Sequence, residues 1–478
     1  MDATVTQTAR PVYVDLDGTL IRTDLLWESL FLLARQFPGD LWRVPLWAAK
    51  GKAHLKAKLA ERIAFDASLL PYRESVIAEL DEARRAGRRV VLATGANERF
   101  AAEIAEHLGI FDDVMASTPE VNLTSHRKLE RIVAECGEDG FDYYGNSRED
   151  LVLLDQAAHA VVVVPDRAAH RWHKSSGSHR IDDEMRRLRP AVKAMRPHQW
   201  MKNLLIFVPI ALTHEFFNAS LLLAGLAAFF SFSFAASAVY ILNDLLDLSS
   251  DRRHKTKRMR PFASGRVPIP TGLAMAGGLL AVSIAIALLL PWQFGAALAA
   301  YMVATTAYSF FLKRMLLIDV LALASLYTVR IVAGGFAAGV ESSFWLLTFS
   351  GFFFMSLALV KRFTELQDFG TGAERSKTGR GYVDADFETL AQAGMSSGFV
   401  SVLVLALYIQ SDAVRELYRE PYLIWPLCPI VLYIIVRIWV LARRGEMHED
   451  PVVFMLRDWR SQIVIGLGAM MFLLASYF

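Results

Sequence analysis

The spacing of apolar residues changes near residue 200. Before it, short apolar runs alternate with charged stretches; after it, long apolar runs follow one another with little polar interruption. The first pattern predicts strands and helices in turn. Residues 11–14 read as a short buried strand running into Asp15-Leu16-Asp17-Gly18-Thr19. Residues 88–93 form a second strand ending at Thr94-Gly95. Residues 141–144 form a third ending in Gly145-Asn146-Ser147-Arg148-Glu149-Asp150, and residues 160–164 a fourth. Such alternation predicts an α/β fold with a parallel sheet. Residues 24–70 interrupt the first strand–helix unit. The second pattern predicts about nine membrane-spanning helices, near 203–217, 219–243, 271–290, 292–312, 316–338, 342–361, 391–411, 421–440 and 461–478. The expected organisation is therefore multidomain: an α/β domain over 1–180, a polar linker over 181–195, and an all-α membrane domain over 196–478.

Charge adds an orientation. The segments 244–270, 313–315, 362–390 and 441–460 are rich in Lys and Arg, and the breaks near 218, 291 and 341 have none; only 412–420 departs, with Arg415 and Arg419. The positive-inside rule then places the basic segments and the N-terminal domain on the cytoplasmic side. The stretch Met1 to Arg10 lacks an apolar core and does not read as a signal peptide. Hydrophobic residues make up 54% of the chain and charged ones 21%, too apolar for a wholly soluble protein. The two cysteines, Cys136 and Cys428, build neither a disulfide framework nor a zinc site. No basic stripe is interleaved with aromatics, so nucleic acid is not an expected partner.

Candidate chemistry gathers in two places. Asp15 and Asp17 stand two residues apart at a strand end before a glycine, which puts both carboxylates at the carboxyl edge of the sheet, where ligands bind. In the membrane domain the expected second span ends in Asn243-Asp244-Leu245-Leu246-Asp247-Leu248-Ser249-Ser250-Asp251. On one continuous helix Asp244, Asp247 and Asp251 share a face. Clustered carboxylates repel unless a cation sits among them, and hard oxygen donors suit Mg²⁺, which bridges phosphate oxygens. The basic run that follows, with Lys257, Arg258 and Arg260, can hold further phosphate charge. The sixth expected span ends in Lys361, Arg362, Glu365 and Asp368, a second cationic and acidic helix end on the same side. Tyr327 and Arg330 lie within the fifth span, and an arginine there should face a polar cavity, to bind phosphate or to form a structural ion pair. Lys202, beside Trp200 before the first span, suits either interfacial anchoring or phosphate binding.

The N-terminal motifs, DLDGT followed in order by Thr94, Lys128 and Asp150, resemble the haloacid dehalogenase (HAD) superfamily of phosphatases. The resemblance implies a helical cap over about 24–70, although the Trp and Lys residues there also suit a membrane surface. It makes Asp15 a nucleophile that forms an aspartyl-phosphate, Asp17 the general acid/base, and Thr94 and Lys128 ligands of the phosphoryl group. Mg²⁺ would be held by Asp15, the carbonyl of Asp17 and an acid of the last motif. Asn146 stands where the family has an acid, leaving Asp150 to support the metal; a degenerate, structural domain is the alternative. Residues 195–478 resemble the UbiA superfamily of membrane prenyltransferases. RPHQWMKN, NDLLDLSSDRRHKTKRMRPFASG, DVLALASLYTVRIVAGG and KRFTELQ look closest to its decaprenyl-phosphate phosphoribosyltransferase branch. That branch implies transfer of 5-phosphoribose from 5-phosphoribosyl pyrophosphate to a polyprenyl phosphate, in cell wall biosynthesis at the inner membrane. Mg²⁺ on Asp244, Asp247, Asp251 and Asp368 would hold the pyrophosphate, and Lys202, Asn243, Lys257, Arg258, Arg260, Tyr327, Arg330, Lys361, Arg362 and Glu365 would line the substrates. The HAD domain would then dephosphorylate the product. The alternatives are an aromatic prenyltransferase using a polyprenyl pyrophosphate donor and a lipid transporter with a regulatory HAD domain. A homo-oligomer is compatible with all three.

Overall fold

The computed structural model describes residues 10–182, 188–213, 215, 218–368, 381–383, 385–411, 414, 421–447 and 450–477. The chain divides into two compact units, residues 1–195 with 240–275, and residues 196–239 with 276–478.

The first unit holds a six-stranded sheet. Its strands are β1 (Val12–Val14), β2 (Val90–Asn97), β3 (Asp113–Ser117), β4 (Asp142–Gly145), β5 (His159–Val163) and β6 (His179–Ile181), in the order β3-β2-β1-β4-β5-β6. All pairings are parallel. Successive side chains of a strand point to opposite faces. Val12 and Val14 accordingly enter one core with Val90, Leu92, Val161 and Val163, and Tyr13 enters the other with Val91, Tyr143, Val162, Ile132 and Leu153. Because β1 lies between β2 and β4, the residues just after it stand at the carboxyl edge in mid-sheet. The sequence pattern missed β3 and β6. β6 is an edge strand, β3 is the other edge, and neither opens on a buried residue, so their apolar runs are short. β6 ends at Ile181, where the expected polar linker begins.

The insertion after β1 is largely helical: α1 (Leu25–Gln36), α2 (Val44–Ala49) and α3 (Lys52–Arg62), with a 3-10 helix between α1 and α2 and another after α3. Asp24 caps α1, accepting from the N–H groups of Leu26 at 2.9 Å and Trp27 at 3.2 Å. Six further helices follow: α4 (Glu74–Arg85), α5 (Glu98–Leu108), α6 (His126–Cys136), α7 (Leu151–Gln156), α8 (Arg167–Ser176) and α9 (Leu188–Ala194).

The second unit departs from expectation at its start. Residues 203–217 do not form a long helix; a 3-10 helix, Pro197–Phe207, leads into the single turn α10 (Val208–Ala211). Pro197 and Pro209 lack an amide hydrogen and suit helix starts rather than a continuous span. The other expected spans are helices close to their predicted bounds: α11 (Ala219–Leu246), α13 (Ile269–Ala287), α14 (Trp292–Phe310), α15 (Ile318–Ala338), α16 (Phe344–Asp368), α17 (Asp386–Ile409), α18 (Leu427–Arg443) and α20 (Trp459–Tyr477). The short helices α12 (Leu248–Arg253) and α19 (Pro451–Arg457) lie between α11 and α13 and between α18 and α20. Among the described residues six helices are long and apolar enough to cross a membrane. Most of the basic loop 362–390 beyond α16, the side chain of Asp368, and Arg415 and Arg419 lie outside the described residues.

Candidate active sites

In the first unit Asp15 follows β1 directly and is buried. Its Oδ1 accepts from Lys128 Nζ at 2.8 Å, and Lys128 also donates to the Tyr143 hydroxyl at 3.0 Å. Tyr143 in turn donates to Asp150 Oδ1 at 2.8 Å. Burial pushes the Asp15 carboxyl up to about 6 while the Lys128 ammonium pulls it back. Burial disfavours the Lys128 ammonium, but the Asp15 and Asp150 carboxylates outweigh it and raise its pKa. Asp17 is held well above the usual carboxylate range by burial and by the neighbouring Asp24 and Asp15, and its Oδ1 accepts from Leu25 N–H at 2.8 Å. An ionisable Asp15 beside a raised Asp17 is the arrangement that a nucleophile and a neighbouring proton carrier require. Thr94 lies at the carboxyl end of the neighbouring strand, its hydroxyl accepting from Ala96 N–H at 3.0 Å. A small pocket is lined by Asp17, Leu25, Ser29, Lys56, Leu59 and Phe100, among others. Lys56 was not foreseen; it donates to the Gly95 carbonyl at 2.6 Å, and burial lowers its pKa.

The last motif is built differently from its sequence reading. Asp150 is buried and spends both oxygens within its own turn: Oδ2 accepts from the N–H groups of Asn146 and Ser147 at 3.1 Å and from the Ser147 hydroxyl at 2.9 Å, while Oδ1 takes Tyr143. It organises the loop. Asn146 is the residue that reaches the DLDGT turn, for a Cβ on Gly18 (φ +75°) would lie 2.1 Å from its Nδ2. The donors beside Asp15 therefore fit Mg²⁺ with a neutral amide where the last motif would supply an acid.

The acid segment also belongs to the first unit. α11 ends at Leu246, and Asp247 (φ −100°, ψ 13°) breaks the helix before α12 begins at Leu248. The break separates the three acids expected on one face. Asp244 and Asp251 remain together, buried, 3.1 Å and 2.7 Å from Arg260 Nη1. Asp247 lies instead 3.5 Å from Arg35 of α1. Two carboxylates that converge on one guanidinium nitrogen can converge on a divalent cation, so this pair fits Mg²⁺, although no group of three or more His, Cys, Asp or Glu placed to hold a metal occurs among the described residues. Burial raises the Asp251 pKa against the pull of Arg260. Lys257 and Arg258 are exposed and Asn243 is half-buried.

In the second unit the cations converge on a residue missed in the sequence, Asp450. Its Oδ2 accepts from Lys202 Nζ at 2.8 Å and Lys361 Nζ at 3.2 Å, and the Tyr327 hydroxyl lies 2.8 Å from both carboxylate oxygens. Burial opposes the Asp450 charge, but Lys202 and Lys361 outweigh it and hold the carboxyl well below the usual range. Arg330 is buried, and its hydrogen-bond partners are neutral: Asn203 Oδ1 at 2.9 Å, the Tyr301 hydroxyl at 3.2 Å and the Leu326 carbonyl. The Tyr301 ring centroid is 4.8 Å from its guanidinium carbon. This is not the structural ion pair that sequence left open. Arg362 turns away from its neighbour Lys361: it is fully buried, 2.7 Å from Asp319, and also paired with Glu365 and the Tyr308 hydroxyl. The only advance signal for Asp450 is the pair Asp450-Pro451, a helix-start signature that its bond from Val452 N–H at 3.2 Å bears out.

Six described helices apolar enough to cross a membrane, in a chain that also folds a six-stranded parallel sheet, define a membrane protein with an α/β domain. The UbiA prenyltransferase family matches residues 204–457 of the 478, and the chain belongs to that family. Residues 12–155 match haloacid dehalogenase-like hydrolase, so the expected pairing of the two domains holds. Over 476 residues, 97% of this chain and 91% of the other, the chain is 37% identical to the uncharacterized protein y4nM of Sinorhizobium fredii. It is 34% identical over 280 residues to the nodulation protein NoeC of Azorhizobium caulinodans, covering 58% of this chain and 90% of that one. It is 37% identical over 198 residues to the decaprenyl-phosphate phosphoribosyltransferase of Corynebacterium glutamicum, covering 39% of this chain and 59% of that one.

Proposed function

We propose that the membrane domain transfers 5-phosphoribose from 5-phosphoribosyl pyrophosphate to a polyprenyl phosphate, and that the α/β domain removes the sugar phosphate from the product. The observation that carries this reading is the 37% identity over 198 residues with a decaprenyl-phosphate phosphoribosyltransferase. The distribution of cations supports it. Lys202 and Lys361 share one carboxylate, and Arg330 makes hydrogen bonds to neutral partners, so this unit buries more positive than negative charge around Tyr327. Both proposed substrates are phosphorylated, whereas an aromatic prenyltransferase meets its phosphate on the donor alone.

Asp244 and Asp251 would hold Mg²⁺, with Asp247 turned aside to Arg35, and the metal would neutralise the departing pyrophosphate. Lys257 and Arg258, exposed on the following turn, would bind the outer phosphates. Lys202, Lys361 and Arg330 would bind the acceptor phosphate or the 5-phosphate. An acceptor phosphate is already anionic, so attack on the anomeric carbon needs no strong base; positioning and charge stabilisation suffice. The polyprenyl tail would lie among the helices. The membrane would be the inner cell membrane, with the α/β domain cytoplasmic, as the basic segments imply. In that domain Asp15 would attack the phosphate, Lys128 would neutralise its oxygens and Asp17 would move the proton. The test is to reconstitute the chain with ribose-labelled donor and polyprenyl phosphate. Label in the lipid fraction is expected. Its absence, with prenyl transfer from a polyprenyl pyrophosphate to an aromatic acid, would overturn the reading in favour of an aromatic prenyltransferase.

A further inference from the structure

Helix α1 is part of the hydrolase-like domain, yet its two charged side chains, Glu28 and Arg35, both pair with the acid segment of the transferase. We propose that Glu28 of α1 is a positioning residue for the transferase: it holds Arg252, and through Arg252 it sets the aim of Asp251 and the course of the loop carrying Arg260. The proposal rests on the reading of Asp244 and Asp251 as the acids that bind metal and pyrophosphate.

Glu28 and Arg252 meet in two parallel bonds, 2.6 Å and 3.1 Å long, with side chains 4% and 8% exposed. Fork-to-fork pairing fixes orientation as well as distance. A third donor, the Thr23 hydroxyl at 2.8 Å, holds the carboxylate from behind. Arg252 spends its remaining nitrogen, Nε, on the Ala263 carbonyl at 2.8 Å. All three of its nitrogens are thus used, and one side chain ties α1, α12 and the far end of the loop together. Arg252 directly follows Asp251 in α12, so fixing its side chain fixes the rotation of that helix. Asp251 then points at Arg260, which Asp244 shares.

Two further contacts show that the loop is seated on the α/β domain at more than one point. Arg35, in the last turn of α1, reaches Asp247. Gly265 has φ +69°, and a Cβ there would lie 2.5 Å from Arg22 Cβ and 3.1 Å from the Arg22 carbonyl oxygen. At its other end α1 gives the N–H of Leu25 to Asp17. One twelve-residue helix therefore touches the hydrolase acids and the transferase acids. The α/β domain has a part in transfer that does not depend on phosphatase chemistry, which fits a domain with Asn146 in place of an acid.

The test uses the full chain in lipid nanodiscs and titrates it with magnesium pyrophosphate, a probe that phosphoribosyl and prenyl donors share. Hydrogen exchange across residues 248–264 is measured in parallel. Glu28→Gln should weaken magnesium pyrophosphate binding by the folded protein at least tenfold and speed exchange across that segment. Glu61→Gln, a solvated acid on α3, should match wild type in both. If Glu28→Gln does not fold, Arg252→Lys keeps the buried charge without the two-pronged geometry and should shift both readouts in the same direction by a smaller factor. Folded protein of either variant with wild-type affinity and exchange would overturn the proposal, because a merely structural Glu28 lowers the folded fraction and leaves its affinity unchanged. Wild-type chain that binds magnesium pyrophosphate but transfers no phosphoribose would refute the proposed donor and leave Glu28 decided by the same two readouts.

Discussion

Replacing Asp450 by Asn should destabilise the chain strongly in the absence of ligand and much less in its presence. The substitution isolates charge, because Asn caps a helix about as well as Asp and can still accept from Val452 N–H. What it removes is the counter-charge of Lys202 and Lys361, whose side chains are 9% and 27% exposed. Removing one partner of a buried ion pair costs about 3–5 kcal/mol. The amide oxygen can still accept one hydrogen bond, which argues for the lower end, about 3 kcal/mol. For a domain of this size that corresponds to roughly 6–12 °C in Tm. The pH dependence has a definite sign. The folded-state pKa of Asp450 is depressed, so its contribution is complete above the unfolded value of about 3.9 and is lost only as pH falls toward the folded value. The Asp450 charge is therefore retained down to strong acid, but Lys202, whose pKa burial lowers to about 8 even beside Asp450, sheds its proton more readily once that carboxylate is gone, so the gap should be widest near pH 5 and narrow as pH rises toward 8. Thermal unfolding in detergent, with and without ribose 5-phosphate, measures both effects. The anion should narrow the gap by supplying the missing negative charge. A Tm within about 2 °C of wild type at pH 5, or a gap that widens from pH 5 to 8, would refute the view that one ionised carboxylate holds the two lysines.

Asp244→Asn and Asp251→Asn should each lower transfer by about a hundredfold or more while the protein stays folded, since each removes a charge from one cation site; metal-dependent turnover surviving both changes, followed by lipid-product assay, would remove these acids from the role. Arg330→Ala should lower kcat/KM for the donor by roughly 10–100-fold through loss of a charged hydrogen-bond donor, and a variant that unfolds instead would make Arg330 structural. Asp15→Asn should leave transfer running and shift the labelled lipid from the dephosphorylated to the phosphorylated form, resolved by thin-layer chromatography; an unchanged ratio would mean that the α/β domain does not act on this product.

The parts legible in sequence were those with local signals. Val12 to Val14 before DLDGT, and Val90 to Ala93 before Thr94, are compact apolar runs that end in polar residues, and the sheet places both ends side by side. The long apolar helices announce themselves by length alone. What stayed hidden depends on partners distant in sequence. Leu248 continues an apolar period after Asp247, so nothing local marks the helix break, and the pairing of Asp247 with Arg35 spans more than two hundred residues. Lys361 and Arg362 look equivalent as a basic pair, but neighbours on a helix point about 100° apart; one meets Asp450 and the other Asp319. The resemblance makes Asp150 a support for the metal, yet its turn and Tyr143 take up its oxygens. The prolines at 197 and 209 were visible, but the expected span over 203–217 left them out of account.

The phosphoribosyl assignment is tested most directly with doubly labelled donor, one label in the ribose and another in the pyrophosphate. The wild-type chain is incubated with this donor, polyprenyl phosphate and Mg²⁺. The account predicts that the ribose label enters the lipid phase in proportion to acceptor, while the pyrophosphate label stays in water as free pyrophosphate, and that Asp244→Asn abolishes both changes. Ribose label that remains wholly in water, in a preparation that binds magnesium pyrophosphate, would contradict it.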